Sequence, residues 1–261
     1  MALSGGRTNV IWRVGNGQAA LVCKLYAHSA ESPLFPNDSE AEALALTALS
    51  GTHLAPEMIG RYATSLGPCL LYRYVEGASF SGDITLAAGA LKHLHCQLPP
   101  AGLRHIEQGP AALRRQGFEI LDACTSSVAQ TLRAVCPNVR DIEQSETVFL
   151  HGDAVPANMI QGPNGTVLID WQCPALGDPA EDLATFLSPA MQSLYGGRPL
   201  TVDEQAGFLS AYGNRYTVRS YRVLRPLFHW RMAAHCLWKS ERGAPDYADA
   251  MQLELAQLEQ L

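Results

Sequence analysis

Apolar residues recur along this chain with two different periods, and the change between them divides it. Asn9 to Val14 and Ala19 to Tyr26 are rich in apolar and β-forming residues, with Gly15-Asn16-Gly17 between them, and read as strand, turn and strand. Pro56 to Tyr62 and Pro68 to Tyr74 read as two further strands. Between the two pairs, Asn37-Asp38-Ser39 offers cap residues for a helix that runs to about Ser50 and ends at Gly51. From about Ile84 the spacing turns helical. Leu86, Leu91, Leu94 and Leu98 make one stripe, and Leu113, Gly117, Leu121, Cys124, Val128, Leu132 and Val135 make another. Asp203 to Arg215, Val218 to Glu241 and Asp246 to Leu261 read as helices.

One stretch interrupts the helical region. His151-Gly-Asp153-Ala-Val-Pro-Ala-Asn158 leads into a short strand at Met159 to Gln161, and a second strand at Thr166 to Ile169 ends in Asp170-Trp171. Between the strands lies Gly162-Pro163-Asn164-Gly165, in which Asn-Gly signals a hairpin because both residues tolerate positive φ. Such a hairpin folds Asp170 back toward Asn158, so two oxygen ligands can share one hard cation. An acid, an amide and a second acid are the set a phosphoryl-transfer site needs. One carboxylate accepts the proton of the attacking hydroxyl, and the other two groups hold Mg²⁺ against nucleotide phosphates.

His-Gly-Asp-x-x-x-x-Asn, then Ile169-Asp170-Trp171, then Gly177-Asp178-Pro179-Ala180-Glu181-Asp182-Leu183-Ala184, resembles the aminoglycoside phosphotransferase and choline kinase superfamily of small-molecule kinases. The resemblance implies an α+β, protein-kinase-like bilobal fold: a small mixed β-sheet lobe over residues 1–75 and a mainly helical lobe over 76–261. It implies Asp153 as catalytic base, Asn158 and Asp170 as Mg²⁺ ligands, and Lys24, aimed by Glu42, on the α- and β-phosphates of ATP. A strand lysine otherwise lies on a solvated sheet face, and Glu42 is otherwise a solvated acid near a helix N-terminus. Gly5, Gly6, Thr8 and Asn9 match the family's phosphate-covering turn, before which only Met1-Ala-Leu3 stand. Tyr72, Tyr74 and Val75 match its hinge, whose backbone meets the adenine edge. His151 is expected to pack and hold its loop, Asp182 to bond that loop's backbone, and Asp178 to cap a turn or the next helix.

The acceptor is expected to be a small hydroxyl compound bound in the large lobe. Trp171, Trp230 and Trp238 are candidates for its pocket: Trp171 reads as core or pocket wall, and for Trp230 and Trp238 a core position is the preferred reading. Arg219, Arg222 and Arg225 share a helix face, read as solvated rather than as an anion site.

Composition narrows the classes. Net charge is −6 with no basic block, which argues against nucleic acid or an anionic membrane as partner. The opening MALSGGRTNV lacks the features of a signal peptide and no apolar run spans a bilayer, so a cytoplasmic protein is expected. Seven cysteines without a C-x-x-C pair read as reduced, buried thiols rather than a zinc site or disulfide framework. The alternative function is a nucleotide-binding pseudokinase or scaffold, against which the full Lys24, Glu42, Asp153, Asn158 and Asp170 set argues. A protein kinase is disfavoured by the lack of an Ala-Pro-Glu segment.

Overall fold

The computed structural model describes residues 2, 9–15, 20–26, 32–80, 82–143, 145–162 and 165–260. The first strands are β1 (Val10–Val14), β2 (Leu21–Leu25), β3 (Met58–Thr64) and β4 (Gly67–Arg73). They form a four-stranded sheet in the order β1-β2-β4-β3, and every pairing in it is antiparallel. Ala2 adds a single antiparallel bridge to Trp12 of β1. Residues 16 and 17 of the expected first turn, and residues 163 and 164 of the later hairpin, lie outside the described residues.

Helix α1 (Ser39–Ala48) packs on this sheet. Asp38 starts it by accepting from the amides of Glu40 and Ala41 at 2.8 and 3.0 Å, and Glu40 and Glu42 place negative charge at its N-terminal turn. Gly51, at φ 76°, lets the chain turn away after the helix.

After β4 the chain crosses through residues 74–77 to β5 (Ala78–Ser79), which pairs with β8 (Met159–Gly162), itself paired with β9 (Gly165–Leu168). A second small sheet joins β6 (Arg104–His105), β10 (Ala175–Gly177) and β7 (Val148–Leu150). Helices supply the remaining mass: α2 (Ile84–His95), α3 (Pro110–Asp122), α4 (Ser127–Ala134), α5 (Ala180–Leu187), α6 (Pro189–Gly196), α7 (Val202–Tyr212), α8 (Arg215–Ser240) and α9 (Asp246–Leu258). This is a small antiparallel sheet lobe above a helical lobe.

The apolar stripe from Leu113 to Val135 is not one helix. It breaks between α3 and α4, where the Glu241 carboxylate, just past α8, accepts from the amides of Thr125 and Ser126 at 2.9 and 3.0 Å. That partner is over a hundred residues away, so local periodicity could not reveal the break. α8 crosses α3 closely: a Cβ on Gly117 would stand 2.1 Å from the Trp230 ring. All seven cysteines are free thiols. Cys69, Cys173 and Cys236 are buried, whereas Cys96 is exposed, which departs from the expectation of uniform burial. Among the described residues no helix is long and apolar enough to cross a membrane.

Candidate active site

Alternation along β2 turns Val22 and Lys24 inward, and Lys24 is fully buried. Its Nζ lies 2.5 Å from Glu42 Oε2 and also pairs with Asp170 Oδ1. Burial alone would lower the proton affinity of this ammonium, but Asp170 and Glu42 outweigh it and raise the pKa above the ordinary value. Burial also raises that of Glu42. The Tyr26 hydroxyl donates to the same Glu42 oxygen, fixing the carboxylate on the lysine side. One buried cation thus joins the sheet, α1 and the residue that follows β9.

The loop after β7 is held from three directions. His151 is buried, with Nδ1 accepting from the Asp153 amide at 3.2 Å and Nε2 3.0 Å from the Ile169 carbonyl. Nε2 can meet a carbonyl only as a donor, so the ring is a neutral tautomer with its proton on Nε2, and burial depresses its pKa in keeping with that. Asp182, from α5, accepts from the amides of His151 and Gly152 at 2.8 and 2.9 Å. It also meets His95 Nε2 at 3.1 Å, while His95 Nδ1 meets the Tyr212 hydroxyl at 2.9 Å. Burial opposes ionisation of Asp182, yet these donors hold its pKa below the ordinary value. Gly152 is required where it stands: φ is 77°, and a Cβ would lie 2.0 Å from the Cys173 carbonyl.

The two motif halves meet as the hairpin spacing predicts. Met159 pairs with Leu168, and the Ile169 amide donates to the Asn158 carbonyl at 2.9 Å, which sets Asp170 beside Asn158. Asn158 Nδ2 donates to the Asp153 carbonyl at 2.9 Å and to Asp153 Oδ2 at 3.2 Å. Its nitrogen is so engaged, while its oxygen can still accept. Asp170 has φ 63°, one of two non-glycine residues in the left-handed region among those described, a strained conformation of the kind found at functional sites. Burial, then the nearby Asp170 charge, push the pKa of Asp153 up to about 7, against the pull of Asn158 and Lys24.

Several expected contacts fall elsewhere. Gly5, Gly6 and Thr8 lie outside the described residues. Asn9 does not offer its side chain to phosphate. Its Nδ2 donates to Asn37 Oδ1 at 2.8 Å and Gln172 Oε1 at 2.9 Å, and its Oδ1 accepts from Asn37 Nδ2 at 3.0 Å. The Asp38 amide donates to the Gln172 carbonyl at 3.1 Å. Asn9 therefore clasps β1 and the start of α1 to the segment after Asp170. Tyr72 sits in the β4 ladder between Val22 and Met58, buried on the Lys24 face, so its backbone is committed to the sheet rather than to a hinge. The Tyr74 amide donates to the Ala20 carbonyl at 3.0 Å and Arg13 lies 4.1 Å over its ring, which leaves Val75 and Glu76 to carry the crossing.

The three tryptophans do not form an acceptor pocket. Trp171 and Trp230 are fully buried and have no face to give a ligand. Trp171 donates to the Leu168 carbonyl at 2.8 Å and packs 4.5 Å from the His151 ring. Trp230 donates to the Leu132 carbonyl at 2.7 Å and locks α3, α4 and α8 together. Trp238 is partly buried, stacked on His235 and covered by the Arg242 guanidinium at 4.3 Å.

A cavity of about 330 Å³ opens beside Gly152, bounded by Phe35, Arg104, Arg115, Glu181 and Arg231. A larger one, about 750 Å³, lies behind α2 and α8 around Lys92, Arg140 and Arg219, and its lining includes none of Asp153, Asn158 or Asp170. The lining of the smaller cavity also lacks these three residues, but it includes Gly152, the chain neighbour of Asp153, and Asp182, which holds the loop. Sequence reading passed over His95, Arg104 and Gln172. His95 looked like one more position on the α2 stripe, and no spacing connects Arg104 to residue 152.

The sequence profile of the phosphotransferase enzyme family matches residues 1–227. The chain belongs to this family. No curated protein sequence matches it. Among solved structures, this phosphotransferase is similar to a choline/ethanolamine kinase family protein from Mesorhizobium loti, at 16% identity and TM-score 0.65, over 98% of this chain and 85% of that one. A spectinomycin phosphotransferase solved with ADP and spectinomycin shares 16% identity at TM-score 0.61, over 100% and 93% of the two chains. Choline kinase from Cryptosporidium parvum shares 15% at TM-score 0.59, over 100% and 90%. At these identities the likeness is one of fold. The phosphotransferase motifs carried by Lys24, Glu42, Asp153, Asn158 and Asp170 are what this chain brings to that fold.

Proposed function

We propose that this phosphotransferase moves the γ-phosphoryl group of ATP to a hydroxyl of a small molecule. The observation that carries the reading is the single cluster of Lys24, Glu42 and Asp170 beside the bonded pair Asp153 and Asn158. Lys24, steadied by Glu42 and Tyr26, would bind the α- and β-phosphates as a point charge. The fit to Mg²⁺ rests on the donor set. Mg²⁺ in kinases takes one or two protein oxygens plus phosphates and waters, and Asn158 Oδ1 with an Asp170 oxygen supplies that number. Among the described residues there is no cluster of three or more His, Cys, Asp or Glu, a larger set than this chemistry uses. When bound, the ion neutralises phosphate charge.

Asp153 receives the acceptor's hydroxyl proton on its carboxylate as the oxygen attacks phosphorus and ADP leaves from the opposite side. Asn158 orients that carboxylate through Nδ2, and the Asp182 and His151 bonds keep the loop from drifting. Such positioning supplies much of the catalysis, because phosphoryl transfer asks little covalent work of the protein. The spectinomycin phosphotransferase solved with ADP supports an adenine nucleotide as donor. Rings at Trp171 and Trp230 are buried, which argues against an aromatic choline cage built from them.

The test is ADP release from ATP across hydroxyl compounds (choline, ethanolamine, homoserine, amino sugars and aminoglycosides), with and without Mg²⁺. Acceptor-dependent ADP release that requires Mg²⁺ is expected. Nucleotide binding with no release for any acceptor would favour a scaffold instead.

A further inference from the structure

The charges around the cavity beside Gly152 do not balance one another. Four carboxylates line it, and each is already engaged. Glu107 and Glu119 both pair with Arg115, the latter at 3.9 Å. Glu181 pairs with Arg231 from α8. Asp182 is taken by His95 and two loop amides. Three arginines line the same space, and two of them are used in these pairs. Arg104, on β6, is the third. It forms no ion pair, and its hydrogen bond, 3.3 Å from Nη2, goes to the Cys173 carbonyl.

Arg104 is exposed to solvent on one side; desolvation of its guanidinium lowers its proton affinity, with Arg231 adding to that, while Cys173 and the Glu181 and Asp182 carboxylates act in the opposite sense. Arg231 is buried, paired with Glu181 and bonded to Gln116, and its Nε has no partner among the described residues. The Cys173 carbonyl that takes Arg104 is the atom against which Gly152 packs, and the Cys173 thiol feels both Asp153 and Arg104. The open cation is thus about one residue away from the proposed base.

We propose that the acceptor of this enzyme carries a carboxylate or phosphate group besides its hydroxyl, and that Arg104 binds this oxyanion in the cavity beside Gly152, with Arg231 behind it. The proposal rests on the phosphotransferase reading for the word acceptor, and on the cavity alone for the anion. A planar guanidinium matches either oxyanion in bidentate fashion. The cavity volume suits a metabolite-sized ligand.

Two measurements on the intact chain test this. ADP release with ATP and Mg²⁺ is followed for matched compounds that differ in charge: 4-hydroxybutyrate and 4-hydroxybutanamide, pantothenate and panthenol, glycerol 3-phosphate and glycerol, with choline as the cation. Calorimetric titration of the same compounds, with ADP and Mg²⁺ present, reads binding without turnover. The anionic member of at least one pair should bind and turn over, its neutral partner being weaker by roughly ten- to a hundred-fold. The carboxylate and phosphate arms tell the two oxyanions apart. Arg104→Gln should remove the difference by raising KM for the anionic acceptor, with kcat and the KM for ATP little changed, and Arg104→Lys should restore part of it. A preference for choline or the neutral compounds overturns the proposal. So does a charge preference that survives in Arg104→Gln, or a failure of every anionic compound to bind. Anion binding that Arg104→Gln abolishes, without ADP release from any compound, keeps the anion site and removes the phosphotransfer reading instead.

Discussion

The two sides of Asp153 are built in opposite ways. On the nucleotide side, Lys24, Glu42 and Tyr26 are buried and satisfied by one another and by Asp170, so that geometry is fixed before any ligand arrives. On the acceptor side, the charged groups around Gly152 pair off and leave Arg104 over. The first arrangement suits a ligand that is always the same. The second leaves a single group to discriminate among ligands, so substitutions there should change what is bound more than how fast it reacts.

Asp153 belongs to both sides, and removing its basicity should have the largest effect. Asp153→Asn keeps the shape and should lower kcat roughly 10²- to 10⁴-fold with nucleotide binding nearly unchanged. A variant with near-normal kcat would break the division at its centre. Next comes Trp230→Ala, which asks whether α8 lends aromatic surface to the acceptor side. With Trp230 buried between α3 and α4, the variant should lose about 3–5 kcal/mol of stability while the folded enzyme keeps its acceptor KM. A thermal melt beside the kinetics decides it, and a raised acceptor KM with normal stability would move Trp230 to the pocket.

The smallest effect is expected at the clasp. Asn9→Ala removes the bonds that Asn37 and Gln172 make to Asn9 and should cost about 1–3 kcal/mol. Because the clasp ties β1 and α1 to the Asp170 segment, it should raise the KM for ATP and leave that for the acceptor alone. An unchanged KM for ATP with a shifted acceptor KM would reverse the assignment of Asn9 to the nucleotide side.

This asymmetry also explains what the sequence could reveal. Asp153 and Asn158 lead into one hairpin and Asp170 leaves it, and in the sequence that hairpin is signalled by two short apolar runs with Asn-Gly between them. The helix led by Asp38 and the strand carrying Lys24 are local patterns too. Their meeting across the cleft came from family resemblance, since nothing in β2 alone says that Lys24 points inward. The acceptor side joins β6, α3, α5 and α8, elements separated by up to about half the chain, and no local period links them. For Trp230 and Trp238 the choice between core and pocket stayed open for the same reason. Helical spacing places them on α8, but whether they face a pocket or α3 depends on Gly117, over a hundred residues away. Asn9 differs again: a motif singles it out, and in the structure its amide bonds Asn37 and Gln172.

The most direct test of the central claim is a crystal structure with Mg²⁺ and a non-hydrolysable ATP analogue. The account predicts Asn158 Oδ1 and an Asp170 carboxylate oxygen at roughly 2.0–2.2 Å from one ion. Lys24 Nζ should move from Asp170 onto the phosphates while keeping Glu42, with Asp153 facing the γ-phosphate. An ion bound without Asn158 and Asp170, or a nucleotide seated away from Lys24, would contradict it.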